Sequence, residues 1–324
     1  MLLRDIQGTP VGVSVDSTIK RIVINEMETT APILKYAQFY TFQGNSDNIA
    51  PEADANVGHF RAINSEPATV DTSYGEPLNV PLKILSARVR TDRAYQDRGL
   101  DLEGEHLRQV RAAARNLGRK FMNYLIKGNG GNAITGLKND PQVQVVTFDT
   151  ATGGELSIGL ETSARKQQAK FLETLDNVIL SVPNGANCLI MNAALASRLS
   201  TIFREYVNYN SIIAATGDVL QIPSYKGIPI VISGINADGN EIIGNDYVLG
   251  TNNTTALYAL RFEERDMVTF ATTKSGITTI FNPNNSAFVS TDIELQYNLV
   301  VVNPKAAVRL RGIILSLPAS NPST

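Results

Sequence analysis

Residues 100–127 carry the strongest periodic signal in the chain. Leu107, Val110, Ala114, Leu117, Phe121 and Leu125 recur at steps of three or four, which puts them on one face of an α-helix. Asp101, Glu103 and Glu105 stand at its start, where the positive end of the helix dipole favours carboxylates, and Lys127 followed by Gly128 closes it. On another face Arg108, Arg111, Arg115 and Arg119 repeat with the same period. A helix this long, apolar on one side and basic on another, must lie along a core that the rest of the chain supplies.

That remainder reads as short strands with few helices. A second helix is predicted over 162–181, with Phe171, Leu172, Leu175, Val178 and Ile179 as its apolar face. Cys188, Leu189, Ile190 and Met191 read as a buried strand, and Asn192 caps a helix from Ala193 to about Val207. A polar loop is expected over 208–223, and strand-like runs at 143–148, 225–233, 246–250, 256–262, 267–271, 276–281 and 288–302. Strands that alternate with few helices and return late in the chain predict an α+β fold, not a regular parallel βαβ series.

Residues 1–55 alternate short apolar groups (Ile22, Val23, Ile24; Ile33, Leu34) with Gly8, Pro10, Pro32, Gly44 and Pro51, and show no sustained helical period. They are expected to form an extended arm lying across something else, so that loss of residues 1–33 leaves a folded, soluble subunit. Two extended runs follow, at 59–63 and 78–91, the second alternating through Val80, Leu82, Ile84, Ala87 and Val89. With the polar, turn-rich 64–77 between them they predict a long hairpin.

Composition and motifs narrow function by exclusion. The 29 basic and 31 acidic residues leave a net charge of -2, a balance that signals no nucleic-acid, membrane or metal partner. No segment approaches the roughly 18 apolar residues of a membrane span. The single Cys188 cannot form an internal disulfide, so nothing requires an oxidising compartment. Gly131 and Gly136 have the spacing of a phosphate loop, but Leu137 stands where a Lys must reach the phosphates, Lys138 comes one residue late, and Asn139 replaces the magnesium-binding Ser or Thr. His59 and His106 are isolated, no Ser lies in a G-x-S-x-G elbow, and the acids Glu263, Glu264, Asp238 and Glu241 fall in predicted turns. No catalytic residue, cofactor or metal ligand is expected, and the chain is not expected to be an enzyme. The arginine stripe leaves two readings open: nonspecific neutralisation of phosphates, or pairing with Asp92, Asp97, Asp101, Glu103 and Glu105.

In its order and local motifs the chain resembles the major capsid proteins of tailed bacteriophages (Caudovirales) with the Hong Kong 97-type fold. The motifs are FMNYLIKGNGGNAITGL, YKGIPIVIS, DYVLGTNNTTALYALRFEERDMVTF and FVSTDIELQYNLVVVNPKAAVRL, the last ending near Pro304, Ala306 and Ala307. The resemblance spans nearly the whole chain. It implies an N-terminal arm (1–55), then an E-loop hairpin (56–92) whose inter-subunit tip carries Ser65, Glu66, Pro67, Tyr74, Glu76 and Pro77. A peripheral domain (93–159 and 272–324) would hold the spine helix at about 100–127. An axial domain (160–271) would place a loop with Tyr209, Asn210, Ser211, Thr216 and Asp218 near a fivefold or sixfold axis.

The resemblance further implies a structural protein whose activity is self-assembly as a homo-oligomer: hexamers and pentamers tiling an icosahedral shell round double-stranded DNA, which Arg108, Arg111, Arg115 and Arg119 would face. Portal protein, a separate scaffolding protein and a decoration protein are the implied partners, with no membrane. The implied place is the virion, assembled in a bacterial host's cytoplasm. Two departures stand out. Residues 61–82 contain no Lys, the first being Lys83, so no covalent cross-link through a hairpin Lys is expected. The residues before the hairpin show no helical coiled-coil stretch, so no cleavable scaffolding segment is read there. One alternative with the same fold is an encapsulin, a compartment that loads a cargo enzyme; encapsulins begin with a helix that forms the cargo site, and the Gly- and Pro-bearing start speaks against it. The other is an enzyme with a site assembled from distant residues, which would need a deep polar pocket with perturbed acids.

Overall fold

The structure is a computed structural model that describes residues 2–3, 15–50, 60–66, 76–99, 101–149, 153–204, 206–213, 219–245, 247–250, 252–285 and 287–315. In chain order its first elements are α1 (Val15–Thr30), β1 (Phe39–Phe42), β2 (Ser46–Ile49), β3 (Leu78–Pro81), β4 (Lys83–Asp92), the single turn α2 (Ala94–Asp97) and α3 (Leu102–Lys127). Then come β5 (Gln144–Thr147), β6 (Gly154–Glu155), α4 (Thr162–Ser181), β7 (Cys188–Met191), α5 (Ala193–Ile202), β8 (Val207–Ile213), β9 (Val219–Tyr225) and β10 (Ile228–Ile232). The chain closes with β11 (Tyr247–Leu249), β12 (Asn252–Leu260), β13 (Val268–Asn285), β14 (Phe288–Val301) and β15 (Ala307–Ile314).

The predicted long helix is α3. It starts at Leu102 because Asp101 is its N-cap, accepting the Gly104 N–H at 3.0 Å. Val110, Ala114, Leu117, Phe121 and Leu125 are buried, as their spacing requires. Its end is a glycine-dependent turn: a Cβ on Gly128 or on Gly136 would run into the Tyr124 carbonyl.

The N-terminal segment is not an extended arm. α1 is a 16-residue helix whose Ile19, Val23, Ile24 and Met27 are buried in the same core as α3. The helix ends where Thr29 and Thr30 turn their hydroxyls back onto the carbonyls of Asn25 and Glu26, and Pro32 opens a 3-10 turn, Pro32–Lys35. The two helices touch closely because Gly118 offers no side chain where Thr30 crosses. Ile33, Leu34, Ala37 and Phe39 continue into that core. The described portion of the arm is thus built into its own subunit, contrary to the expectation that it lies elsewhere.

Two sheets frame the molecule. One is four-stranded, ordered β1-β13-β14-β4, with β1 parallel to β13 and the other pairs antiparallel. The runs expected at 267–271 and 276–281 are a single strand, β13, with a register shift between Thr272 and Ile277. The second sheet is nine-stranded, β5-β15-β12-β7-β10-β9-β8, with β11 beside β12 and β6 beside β15. It separates two cores: on β7, Cys188 and Ile190 face α1 and α3, while Leu189 and Met191 face α4 and α5. Burial on both faces is why that strand reads as an unbroken apolar run.

Two further expectations change. α5 ends at Ile202, and the predicted loop 208–223 is a hairpin in which β8 and β9 pair from Val207 with Tyr225 to Ile213 with Val219. Residues 60–66 form no strand; β3 pairs instead with β2, Asp47 opposite Val80, so the long hairpin begins at Ser46 and β4 leaves it to join β14.

Candidate assembly surfaces

The hairpin rises from a small core of its own, where Ile49 and Val80 pack with Tyr40, Ala271, Val300 and Val302. Arg265 clamps this root: its guanidinium lies 5.0 Å from the Tyr40 ring and pairs with Asp47 at 3.1 Å. Three more bonds tie it down, from Leu82 N–H to the Asn45 carbonyl at 3.0 Å, from Asn298 Nδ2 to the Pro81 carbonyl at 2.8 Å, and from Lys83 Nζ to the Gly131 carbonyl at 2.6 Å. Beyond the anchored root the described residues 60–66 are exposed, and Phe60 and Ile63 are 111% and 93% accessible. Of the tip residues, Ser65, Glu66, Glu76 and Pro77 are exposed. Pro67 and Tyr74, like His59, lie outside the described residues.

The arginine stripe lies along α3 at the surface. Arg108 forks onto Glu105 with contacts of 2.8 and 2.7 Å, and these bonds pull the Glu105 carboxyl down to about 2. Arg115 reaches Glu26 of α1 at 3.5 Å. Arg111 is exposed and Arg119 half-buried, and neither forms an ion pair among the described residues. Of the expected acids, Glu105 thus pairs with the stripe, while Asp92 accepts the Ala94 N–H and Asp101 caps α3. Two of the four arginines are therefore ion-paired at the surface, and among the described residues the other two are not.

A chain of hydrogen bonds runs inward from it. Gln109 donates to Glu105 at 2.9 Å and accepts the Thr91 hydroxyl at 3.0 Å; Thr91 Oγ1 lies 2.8 Å from His106 Nδ1, and His106 Nε2 lies 2.8 Å from Thr291 Oγ1. Thr91 spends its one proton on Gln109, so His106 Nδ1–H donates to Thr91 and Nε2 accepts from Thr291. The imidazole is neutral, 3% exposed, and burial lowers its pKa. It ties α3 to β4 and β14.

At the other end, Tyr209, Asn210 and Ser211 sit on β8, with Tyr209 exposed; Thr216 and Asp218 lie outside the described residues. The base of this hairpin is fastened to α4, since Tyr225 Oη donates to Asp176 at 2.9 Å and Lys226 Nζ donates to it at 2.7 Å.

No protein-family model and no curated protein matches this sequence. Solved structures do. The SrpI encapsulin of Synechococcus elongatus, in its holo complex, aligns with a TM-score of 0.57 at 15% identity, over 99% of this chain and 97% of that one. The capsid of a native GTA particle aligns at 0.55 and 14% identity, over 88% and 90%. The head structure of a Helicobacter pylori bacteriophage aligns at 0.53 and 8% identity, over 86% of each.

The chain has the Hong Kong 97-type capsid fold. The resemblance read from the sequence would make α3 the spine helix and the β2–β3 ribbon the root of the E-loop. Sequence reasoning missed what locks them in place. Arg265 and Asp47 meet across 218 positions, and His106 reaches Thr291 across 185; no local pattern announces either. Cys188 is buried, and burial pushes its thiol pKa up, away from reactivity. Among the described residues no group of metal-binding side chains converges, and no helix is long and apolar enough to cross a membrane.

Proposed function

We propose that this chain is the major capsid protein of a tailed bacteriophage, assembling as hexamers and pentamers into an icosahedral shell round double-stranded DNA. The observation that carries the reading is the E-loop: its root is clamped by Arg265 and Asp47, yet Phe60 and Ile63 beyond it are bare. Such a projection costs apolar hydration in a lone subunit and is stabilised when a second copy covers it. Arg111 and Arg119, without an ion pair among the described residues, supply phosphate neutralisation without base reading, which suits nonspecific cargo in an otherwise neutral chain. A portal protein and a separate scaffolding protein are the partners this reading entails, and the virion is its place.

A second reading stays because of α1. The sequence argued against an encapsulin on the ground that its start is extended, and the start holds a helix laid on the spine helix. The contents of purified particles separate the two. Nuclease-protected double-stranded DNA is the expected cargo; particles that hold one protein and no DNA would favour the compartment.

A further inference from the structure

The turn at residues 61–65 is closed by its own polar groups. The Ser65 N–H and hydroxyl both donate to the Ala62 carbonyl, at 3.2 and 2.8 Å, and Arg61 Nη1 donates to the Ser65 carbonyl at 2.8 Å. Asn64 takes the left-handed conformation, with φ 68°, and the chain reverses there. The turn is thus shaped before it meets a partner. It presents the bare Phe60 and Ile63 together with Arg61, whose guanidinium forms no ion pair among the described residues.

A cleft of about 460 Å³ lies between the root of the hairpin and the glycine turn that follows α3. Pockets that seat small ligands run from about 300 to 1,000 Å³. Leu78, Val80, Pro81 and Leu299 give this one an apolar wall, and Asp140 lines it as well. Asp140 is fixed in its turn: its carboxylate accepts the Gln142 N–H at 2.9 Å, and its own N–H donates to the Gly136 carbonyl at 3.0 Å. It is half-buried, desolvation raises its pKa, and no cation pairs with it among the described residues. Lys83 lines the same cleft but donates to the Gly131 carbonyl at 2.6 Å and forms no ion pair with Asp140.

We propose that the cleft of one copy receives the 60–65 turn of another, with Phe60 and Ile63 against the apolar wall and Arg61 paired with Asp140. The two surfaces complement each other in chemistry: bare apolar side chains meet an apolar wall, and a cation without a counter-ion meets a carboxylate without one. Asp140 has lost part of its hydration and gained no counter-charge, and a guanidinium supplies both charge and N–H donors. The turn does not fill the cleft of its own chain, where Phe60 and Ile63 stay bare. Joining two different patches makes the contact head-to-tail, the kind that closes into rings. The inference rests on the shell proposed above and names where on a neighbour the hairpin tip lands.

Charge reversal and cross-linking in the full chain test the docking. Arg61→Asp and Asp140→Arg each bring like charges together and are expected to raise the concentration at which shells form by about tenfold or more. The double variant, which restores the pair in reverse, is expected to return to within about threefold of wild type. Asp140→Asn keeps the acceptor for Gln142, should also assemble less readily, and carries the comparison if Asp140→Arg does not fold. Pro141 is exposed beside Asp140 in the cleft. In shells of the Arg61→Cys, Pro141→Cys variant, oxidation is expected to link copies into a ladder on a denaturing gel, because Cys188 is buried and does not compete. Reversals that assemble like wild type, or shells whose two introduced cysteines never join, overturn the docking and leave the shell reading intact, since another surface or a scaffolding protein then covers the tip. A wild type that forms no shells overturns both.

Discussion

Gly118 faces Thr30 at the crossing of α1 and α3: a Cβ on Gly118 would strike the Thr30 hydroxyl and stand 3.1 Å from the Met27 carbonyl. Alanine is the better helix former by about 0.5–1 kcal/mol, so in an exposed helix the change Gly118→Ala would stabilise. Here the added methyl must push α1 away from α3. We expect a net destabilisation of about 1–3 kcal/mol in urea unfolding, and a gain in stability would contradict the close crossing.

The same contact predicts the fate of a truncation. Deletion of residues 1–33 removes Ile19, Val23, Ile24 and Met27 from the spine-helix core, and the chain is expected to be insoluble or to melt without cooperativity. The milder Met27→Ala should cost about 2–5 kcal/mol. A truncated chain with an undiminished cooperative transition would show that α1 is dispensable to the fold.

What the sequence disclosed follows from how local each signal is. α4 occupies the predicted 162–181, and β7 the predicted CLIM run, because each carries its burial pattern in consecutive residues. α1 was hidden by the β-branched run Ile22, Val23, Ile24, which reads as strand, between flanking glycines and prolines; its helical period shows only once Ile19 and Met27 are known to face α3. β2, with the sequence SDNI, has one apolar residue and no strand signal of its own; its pairing with β3 is imposed by the tertiary core under Ile49 and Val80. The arginine stripe was legible from its period. Its partner Glu26 was not, lying 89 positions away on a helix that no local pattern reveals.

His106 makes stability depend on pH. Burial holds its folded pKa below the unfolded value, so as pH falls through about 6.5 the unfolded chain takes up a proton that the native chain refuses, and stability is lost until the folded pKa is reached. The groups facing the ring are Thr91 from β4, Thr291 from β14 and Phe281 from β13, while Asp101 and Glu103 line the adjoining cavity. Glu105, held at about 2, does not titrate in that window. The melting temperature should therefore fall between about pH 7 and 5, and His106→Gln should flatten the fall. Identical pH profiles for the two proteins would refute the assignment.

The exposed stripe sets a test in solution. If Arg111 contacts phosphate, Arg111→Ala should weaken binding to linear duplex DNA equally for all sequences and reduce the salt slope by about one. An unchanged slope would remove Arg111 from any DNA-facing role.

Assembly is the central claim, and negative-stain microscopy of the purified chain, with sedimentation across a wide concentration range, tests it most directly. Closed shells, or rings of five and six subunits, are the predicted result. A monodisperse monomer or dimer at every concentration, with or without a scaffolding protein, would contradict it.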